Sequence, residues 1–282
     1  MIVFDGRLYE SGVVPFDVSD RGLTLADGLF ETFLAVDGRL FRRAAHLDRM
    51  EAGAAELALP IARARLEADL DLMLSTIPTG SFVVRLTVTR GPGARGLAMP
   101  AVARPSVLVG AAPWTAEPVG RPIRLVTSSI RRNATSPTAR FKTLAHLDAI
   151  AAFAEAQAAG GDDALFLDGA GRVASTTMAN LFAVVDGRLL TPAADGAILP
   201  GTTRTEVIDA ARERGLAVDE RNLTPHDLLA AEAVFATNAV RLVAPVVALD
   251  GREIVPTSPL PHRLLDDLGA RIAAECGRDP RA

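Results

Sequence analysis

The chain has 282 residues, 49% of them hydrophobic, and its 30 basic and 34 acidic side chains leave a formal charge of -4. That length can bury a large core and build two modest domains, and that charge balance gives no polybasic footprint for the phosphate backbone of a nucleic acid. A single cysteine, Cys276, excludes an internal disulfide framework and fits a reducing cytoplasm, while the scattered His46, His146, His226 and His262 suggest no metal site.

The N-terminus, Met1 to Arg7, lacks the basic-then-apolar pattern of a leader, and no apolar run reaches membrane-spanning length, so no membrane partner is expected. Asp5-Gly6, Asp37-Gly38, Asp186-Gly187 and Asp250-Gly251 each flank short apolar runs and read as tight hairpin turns, because Asp and Gly tolerate the positive φ such turns need. Antiparallel sheet follows. Arg43 to Leu59 and Ile61 to Ile77 carry apolar residues at helical spacing, with Pro60 and Pro78 as stops, and predict two helices covering one face of that sheet. Ser81 to Arg90 alternates as a strand, and Pro105 to Ala112 resumes strand character after a glycine-rich loop.

The segment Pro113 to Pro122 is proline-rich and without periodicity. It marks the expected boundary: a small N-terminal domain over 1–113, a linker over 114–121 and a larger C-terminal domain over 122–282. The second part should open with a strand from Ile123 to Ser128 and a polar loop, then a helix beginning near Lys142 and ending at Gly160-Gly161. Strands follow at Ala164 to Leu167 and Leu181 to Val185, a helix from Thr202 to about Gly215, and a strand from Ala233 to Ala236. An amphipathic helix from about Pro259 to Cys276 ends the chain, giving a mixed α+β or α/β fold in two domains.

Several stretches carry chemistry. Lys142 is a lone lysine among arginines, between a polar loop and an apolar, alanine-rich stretch. Desolvation there would lower its pKa and free its amine to form a Schiff base; a solvated lysine at a helix start is the alternative. Arg49, in His46-Leu47-Asp48-Arg49, lies on a helix whose apolar face packs inward, and is either aimed at a buried anion or an ordinary surface arginine. Leu199-Pro200-Gly201-Thr202-Thr203-Arg204 runs from loop into helix, where free N–H groups and the helix dipole favour a phosphate, although Gly201, Thr202 and Thr203 also suit a plain N-cap. Phe235-Ala236-Thr237-Asn238-Ala239 runs from a strand into a polar turn. Gly91-Pro92-Gly93-Ala94-Arg95-Gly96 fits the dinucleotide-binding pattern, but it joins two strands, whereas that fingerprint needs a helix facing the pyrophosphate. It reads instead as a connection presenting Arg95, with Arg90, to something anionic.

In this order the pieces resemble the fold type IV enzymes that use pyridoxal 5'-phosphate, the class IV aminotransferases, with a D-amino-acid-aminotransferase-like architecture. The resemblance covers nearly the whole chain. It rests on Ser19-Asp20-Arg21-Gly22, on Ala26-Asp27-Gly28-Leu29-Phe30-Glu31-Thr32, on His46-Leu47-Asp48-Arg49, on Lys142-Thr143-Leu144, on Ala179-Asn180-Leu181-Phe182 and on Leu199 to Arg204. It implies that Lys142 holds the cofactor as a Schiff base and then shuttles the substrate α-proton. It implies that Arg49 neutralises the cofactor phosphate, with Gly201, Thr202 and Thr203 forming a helix-terminus cradle, that Asn180 shapes the wall near the pyridine ring, and that Asn238 lies among the cofactor contacts. A homodimer is also implied.

The chain departs from the family at Ser175, five positions before Asn180, where a glutamate normally holds a proton on the pyridine nitrogen. A hydroxyl can hydrogen-bond that nitrogen but cannot stabilise its protonated form as a carboxylate does. Ala145 stands where an asparagine often follows the lysine, with His146 beside it, and Tyr9 is the only tyrosine. Within the family, Thr89 to Gly96 and Asn238-Ala239 most resemble aminodeoxychorismate lyase, which eliminates pyruvate to give 4-aminobenzoate for folate synthesis. An aminotransferase of D-amino acids or branched-chain L-amino acids is the competing reading, and a non-catalytic cofactor-binding homologue a third.

Overall fold

Asp5, Asp37, Asp186 and Asp250 take φ between 47° and 52° and each is followed by a glycine of positive φ, so all four Asp-Gly pairs form the tight turns expected of them. Each closes an antiparallel hairpin. The computed structural model describes residues 1–282, which divide into two units: Met1–Thr115 with Phe141–Ala145 and Ala274–Pro280, and the remainder. Lys142 thus belongs to the first unit. None of the helices is long and apolar enough to cross a membrane.

The first unit contains β1 (Ile2–Phe4), β2 (Arg7–Tyr9), α1 (Arg21–Leu25), β3 (Gly28–Val36), β4 (Arg39–Leu40), α2 (Arg43–Glu56), α3 (Arg63–Leu74), β5 (Ser81–Thr89) and β6 (Val107–Pro113). Its six strands form an antiparallel sheet in the order β2-β1-β6-β5-β3-β4. The predicted pair of helices is present, and Leu47, Met50, Leu66, Leu70 and Met73 from them share one core with Phe33, Val84, Leu86 and Val88 of the sheet. Burial of these apolar side chains is the main stabilising term, each contributing about 1.5–3 kcal/mol. At the C-terminal segment of this unit, Glu275 pairs with Arg42 and Arg278 with Asp37.

The second unit contains β7 (Ile123–Arg132), α4 (Pro137–Arg140), α5 (Leu147–Ala158), β8 (Asp163–Asp168), β9 (Val173–Thr176), β10 (Asn180–Val185), β11 (Arg188–Thr191), α6 (Thr202–Glu213), β12 (Val218–Glu220), α7 (Pro225–Leu229), β13 (Ala233–Asn238), β14 (Leu242–Leu249), β15 (Arg252–Glu253) and most of α8 (Leu260–Cys276). Its nine-stranded sheet is mixed, in the order β12-β11-β10-β13-β14-β7-β8-β9, with β15 on β14. Leu165, Leu181, Val234 and Val246 fill one core, and Phe166, Ala152 and Ala156 belong to a second.

Two expectations are corrected. No helix begins at Lys142: α5 starts at Leu147 with His146 as its N-cap. Residues 141–145 instead bend against the start of β3 and pair with it through a single antiparallel bridge between Thr143 and Leu29, where Phe30 N–H donates to the Lys142 carbonyl at 2.9 Å and Leu144 N–H to the Gly28 carbonyl at 3.0 Å. Glycine is required at 28, since a Cβ there would lie 2.8 Å from Leu144 Cδ1 and 2.4 Å from the Val88 carbonyl oxygen. The second correction concerns Arg90, which is buried within the fold rather than presented on the loop to an incoming anion. Its Nε donates to Asp27 at 2.7 Å, and its terminal nitrogens donate to the Ala58 and Leu57 carbonyls just past the end of α2, both at 2.8 Å. All its nitrogens serve the fold. The glycine-rich loop joins β5 to β6 without a helix, as expected, and buried Arg21 donates to its Gly96 and Ala98 carbonyls, each at 3.2 Å.

Arg90→Ala is therefore expected to destabilise the protein by about 1.5–3 kcal/mol, because it removes a buried guanidinium whose charged hydrogen bonds tie Asp27 to the Leu57 and Ala58 carbonyls. Urea denaturation of the variant measures this.

Candidate functional site

Around Lys142 the first unit gathers three charged side chains, a histidine and a phenyl ring. Glu31 sits in the middle of β3 with no exposed side-chain surface. His46 and Arg49, three residues apart on α2, share a helix face and both reach it. Arg49 Nε donates to Glu31 Oε1 at 2.8 Å and Arg49 Nη2 to Glu31 Oε2 at 2.6 Å, while His46 Nδ1 donates to Oε2 at 2.7 Å. Arg49 is thus no ordinary surface arginine: its side chain is 11% exposed. Phe30, the residue before Glu31, carries two cations on its ring: Lys142 Nζ lies 4.3 Å and Arg85 Cζ 3.7 Å from the ring centroid. Arg85, on β5, makes no ion pair.

Burial alone would raise the Glu31 pKa, but the Arg49 charge and the His46 and Arg49 hydrogen bonds outweigh it and hold the carboxyl at about 2. Burial pushes His46 below its ordinary value despite Glu31, so it is a neutral donor. Lys142, half-buried, is pushed down to about 8, first by desolvation and then by the Arg49 charge, against the opposing pull of Glu31 and with Arg85 adding to the depression. An amine in that range is nucleophilic near neutral pH. Thr143, beside it, has a buried hydroxyl with no hydrogen-bond partner in the protein.

The second unit gathers the remaining predicted residues. Asn180 opens β10, and its Nδ2 donates to the Leu199 carbonyl at 2.9 Å, fastening the loop that leads into α6. Its Oδ1 stands 2.1 Å from where a Cβ on Gly201 would be, so a side chain at 201 would displace the Asn180 amide that holds Leu199. No side chain caps the N-terminus of α6, which begins Thr202-Thr203 with Gly201 as N-cap. Opposite Asn180 across the β10–β13 pair lies Thr237, whose buried hydroxyl also has no partner in the protein. An uncapped helix start beside an unsatisfied hydroxyl suits a phosphate. Ser175, half-buried on β9, donates its hydroxyl to the Thr176 carbonyl at 2.8 Å and pairs across the sheet with Phe166, whose ring carries the Arg132 guanidinium at 4.0 Å. Asn238 shapes the turn into β14: its Oδ1 accepts from Val240 N–H at 2.9 Å and Arg241 N–H at 2.8 Å. Arg95 is exposed on the β5–β6 loop.

Sequence reasoning brought Lys142 and Arg49 forward and missed Glu31 and Arg85 as their companions. One signal was present for Glu31: it is the only charged residue in the run Gly28 to Val36.

The family profile described as amino-transferase class IV matches residues 28–249. The chain belongs to the class IV aminotransferase family. A relative in Methanocaldococcus jannaschii, described as a putative branched-chain-amino-acid aminotransferase, is 35% identical over 90% of this chain and 89% of its own. The 4-amino-4-deoxychorismate lyase of Pseudomonas aeruginosa is 32% identical in its solved structure, with a TM-score of 0.86, covering 96% of this chain and 98% of that one. A hypothetical aminotransferase of Mycobacterium tuberculosis, solved with pyridoxal phosphate bound, is 26% identical at a TM-score of 0.87, covering 97% and 99%. Class IV aminotransferases depend on pyridoxal phosphate, and this chain's Lys142 amine and the neighbouring Arg49 guanidinium fit the aldehyde and the negative charge of that cofactor.

Lys142 offers a direct check, because it is the only lysine in this class IV family member. In the apoprotein its ε-amine is expected to titrate with a midpoint near 8, measured from the pH dependence of amine modification. Arg49→Ala removes a neighbouring positive charge and leaves Glu31 less neutralised, so it should move that midpoint upward. Because the folded amine titrates below its unfolded value of 10.5, the unfolded chain binds more protons between those values, and apoprotein stability should rise with pH across that window. The same variant should weaken pyridoxal phosphate binding by about 1.5–3 kcal/mol, the worth of a charge-assisted contact, while the apoprotein remains folded.

Proposed function

We propose that this protein is a pyridoxal-phosphate lyase that eliminates pyruvate from aminodeoxychorismate to give 4-aminobenzoate, acting as a cytoplasmic homodimer. Ser175 is the observation that carries this reading. The 32% identity to the Pseudomonas lyase supports it. When bound, the cofactor supplies an aldehyde that captures the substrate amine and a ring that withdraws electrons from the bonds at the substrate α-carbon.

The protein's own residues supply the rest. Lys142 anchors the cofactor through its amine and, once displaced by the substrate amine, removes the proton at the substrate α-carbon; a pKa of about 8 suits it to both tasks. Arg49 receives the cofactor phosphate in the first unit, and in the second the start of α6 with Thr237 offers a further seat for an anion. Arg85, a cation without a carboxylate partner, is placed to receive a carboxylate of the substrate. Ser175 stands where a carboxylate would hold a proton on the ring nitrogen, and its neutral hydroxyl donates to the Thr176 carbonyl instead. The ring is then a weak electron sink. Loss of pyruvate from aminodeoxychorismate tolerates this better than amino transfer does, because loss of the α-proton together with departure of the enolpyruvyl group, which picks up a proton to become pyruvate, leaves an aromatic product.

The cytoplasmic setting is supported by the free, buried thiol of Cys276 and the homodimer by family resemblance, together with exposed Leu97, Met99 and Val102 on the β5–β6 loop. A second reading, amino transfer from branched-chain amino acids, is favoured by the 35% identity to the Methanocaldococcus relative.

Timing both reactions at matched cofactor occupancy separates the two. Wild-type protein is expected to release pyruvate and 4-aminobenzoate from aminodeoxychorismate and to transfer amino groups slowly. Ser175→Glu should raise amino transfer to a keto acid relative to elimination. Brisk amino transfer by wild type from common D- or L-amino acids, with no pyruvate released from aminodeoxychorismate, would replace the lyase reading with the transaminase one.

A further inference from the structure

We propose that Glu31 is the positioning residue of this site: from the middle of β3 it holds Arg49 and His46 in one fixed arrangement beside Lys142, and so governs how Arg49 meets an anion and what charge the amine faces. This rests on the cofactor reading above.

The geometry is that of a planar fork on a planar carboxylate. Arg49 approaches Glu31 through Nε at 2.8 Å and Nη2 at 2.6 Å, using two of its five N–H donors and turning the rest of the guanidinium away from the carboxylate. Two in-plane contacts fix both the distance and the plane of the group, which a single contact cannot do. Oε2 accepts a further hydrogen bond from His46 Nδ1 at 2.7 Å, so the imidazole is oriented by the same atom. Glu31 itself has little freedom to adjust. It is fully buried, and its backbone stands opposite Leu86 in the β3–β5 ladder.

Position in the strand ties this carboxylate to the lysine. Phe30 holds the Lys142 carbonyl through its N–H and the Lys142 amine over its ring, and Glu31 is the next residue. The charged and titratable groups facing the amine are Glu31 from β3, His46 and Arg49 from α2 and Arg85 from β5. Glu31 is the only anion among them. It offsets two guanidiniums, and without it Lys142 would face positive charge alone.

A rival role is that Glu31 merely occupies Arg49, competing with any incoming phosphate. The two roles predict opposite signs. Glu31→Gln keeps the size of the side chain but offers one acceptor oxygen and an NH2 group, which meets Arg49 Nη2 or His46 as donor against donor. Titrating the apoprotein with pyridoxal phosphate, and in parallel with pyridoxal lacking the phosphate, measures the effect on Arg49. Positioning predicts that the variant binds pyridoxal phosphate about 10- to 100-fold more weakly, with little change for pyridoxal. The pH dependence of modification of the lone ε-amine measures the charge effect, and its midpoint should fall below that of wild type.

Glu31→Asp separates the two effects and serves if the glutamine variant does not fold. The shorter side chain keeps the charge but cannot reach both partners, so phosphate-dependent affinity should drop while the amine midpoint stays near wild type. Unchanged or tighter pyridoxal phosphate binding in either variant would overturn the positioning role, as would a lowered melting temperature with both readouts unmoved. If wild-type protein takes up no pyridoxal phosphate at all, the cofactor reading fails instead, and the amine midpoint still decides whether Glu31 sets the charge around Lys142.

Discussion

The pairing of residues 141–145 with the start of β3 is the interaction on which the chemistry of the first unit depends. Two backbone hydrogen bonds, Phe30 N–H to the Lys142 carbonyl and Leu144 N–H to the Gly28 carbonyl, fix the lysine backbone without any helix. A lysine at a helix start would keep its amine in water. Held along a strand whose neighbouring residues are almost all buried, the amine instead rests on the Phe30 ring beside Arg49 and Arg85. Its lowered pKa follows from that placement, since both desolvation and nearby positive charge disfavour the protonated form.

The same strand supplies the counterweight. A buried carboxylate is costly unless it is paired and hydrogen-bonded, and Glu31 meets that condition with Arg49 and His46. The result is a site carrying more positive than negative charge, in which Arg49 is held by a carboxylate and Arg85 is not. Such an arrangement favours an anionic cofactor and an anionic substrate. In the second unit the start of α6 has no side-chain cap. Gly201 leaves room there for the Asn180 amide, which occupies the space of a Cβ and holds the Leu199 carbonyl.

Much of this was legible in the sequence. The Asp-Gly turns, the two helices of the first unit and most of the long strands are local features, and their signals are local: turn chemistry and hydrophobic period. The family was legible from the order of Lys142, Arg49, Asn180 and Gly201 with their neighbours. Lys142 was misplaced onto a helix because Leu144-Ala145 and the alanine-rich run beyond read as continuous helix, whereas the strand that captures residues 141–145 lies far upstream. Arg90 misled for a related reason: a glycine-rich loop suggests exposure, yet its acceptors on Asp27, Leu57 and Ala58 come from elsewhere in the chain. Glu31 was visible as an acid in an apolar run, but nothing local identified its partners. Ser175 was readable because it breaks a pattern.

Covalent capture of the cofactor tests the central claim most directly. Purified protein incubated with pyridoxal phosphate should show visible absorbance, and borohydride reduction should bleach it and leave a stable pyridoxyl group on the peptide containing Lys142. Since no other lysine exists in the chain, that peptide is the only ε-amine destination. Absorbance that reduction does not fix, or a pyridoxyl group recovered only on the terminal amine, would contradict the account.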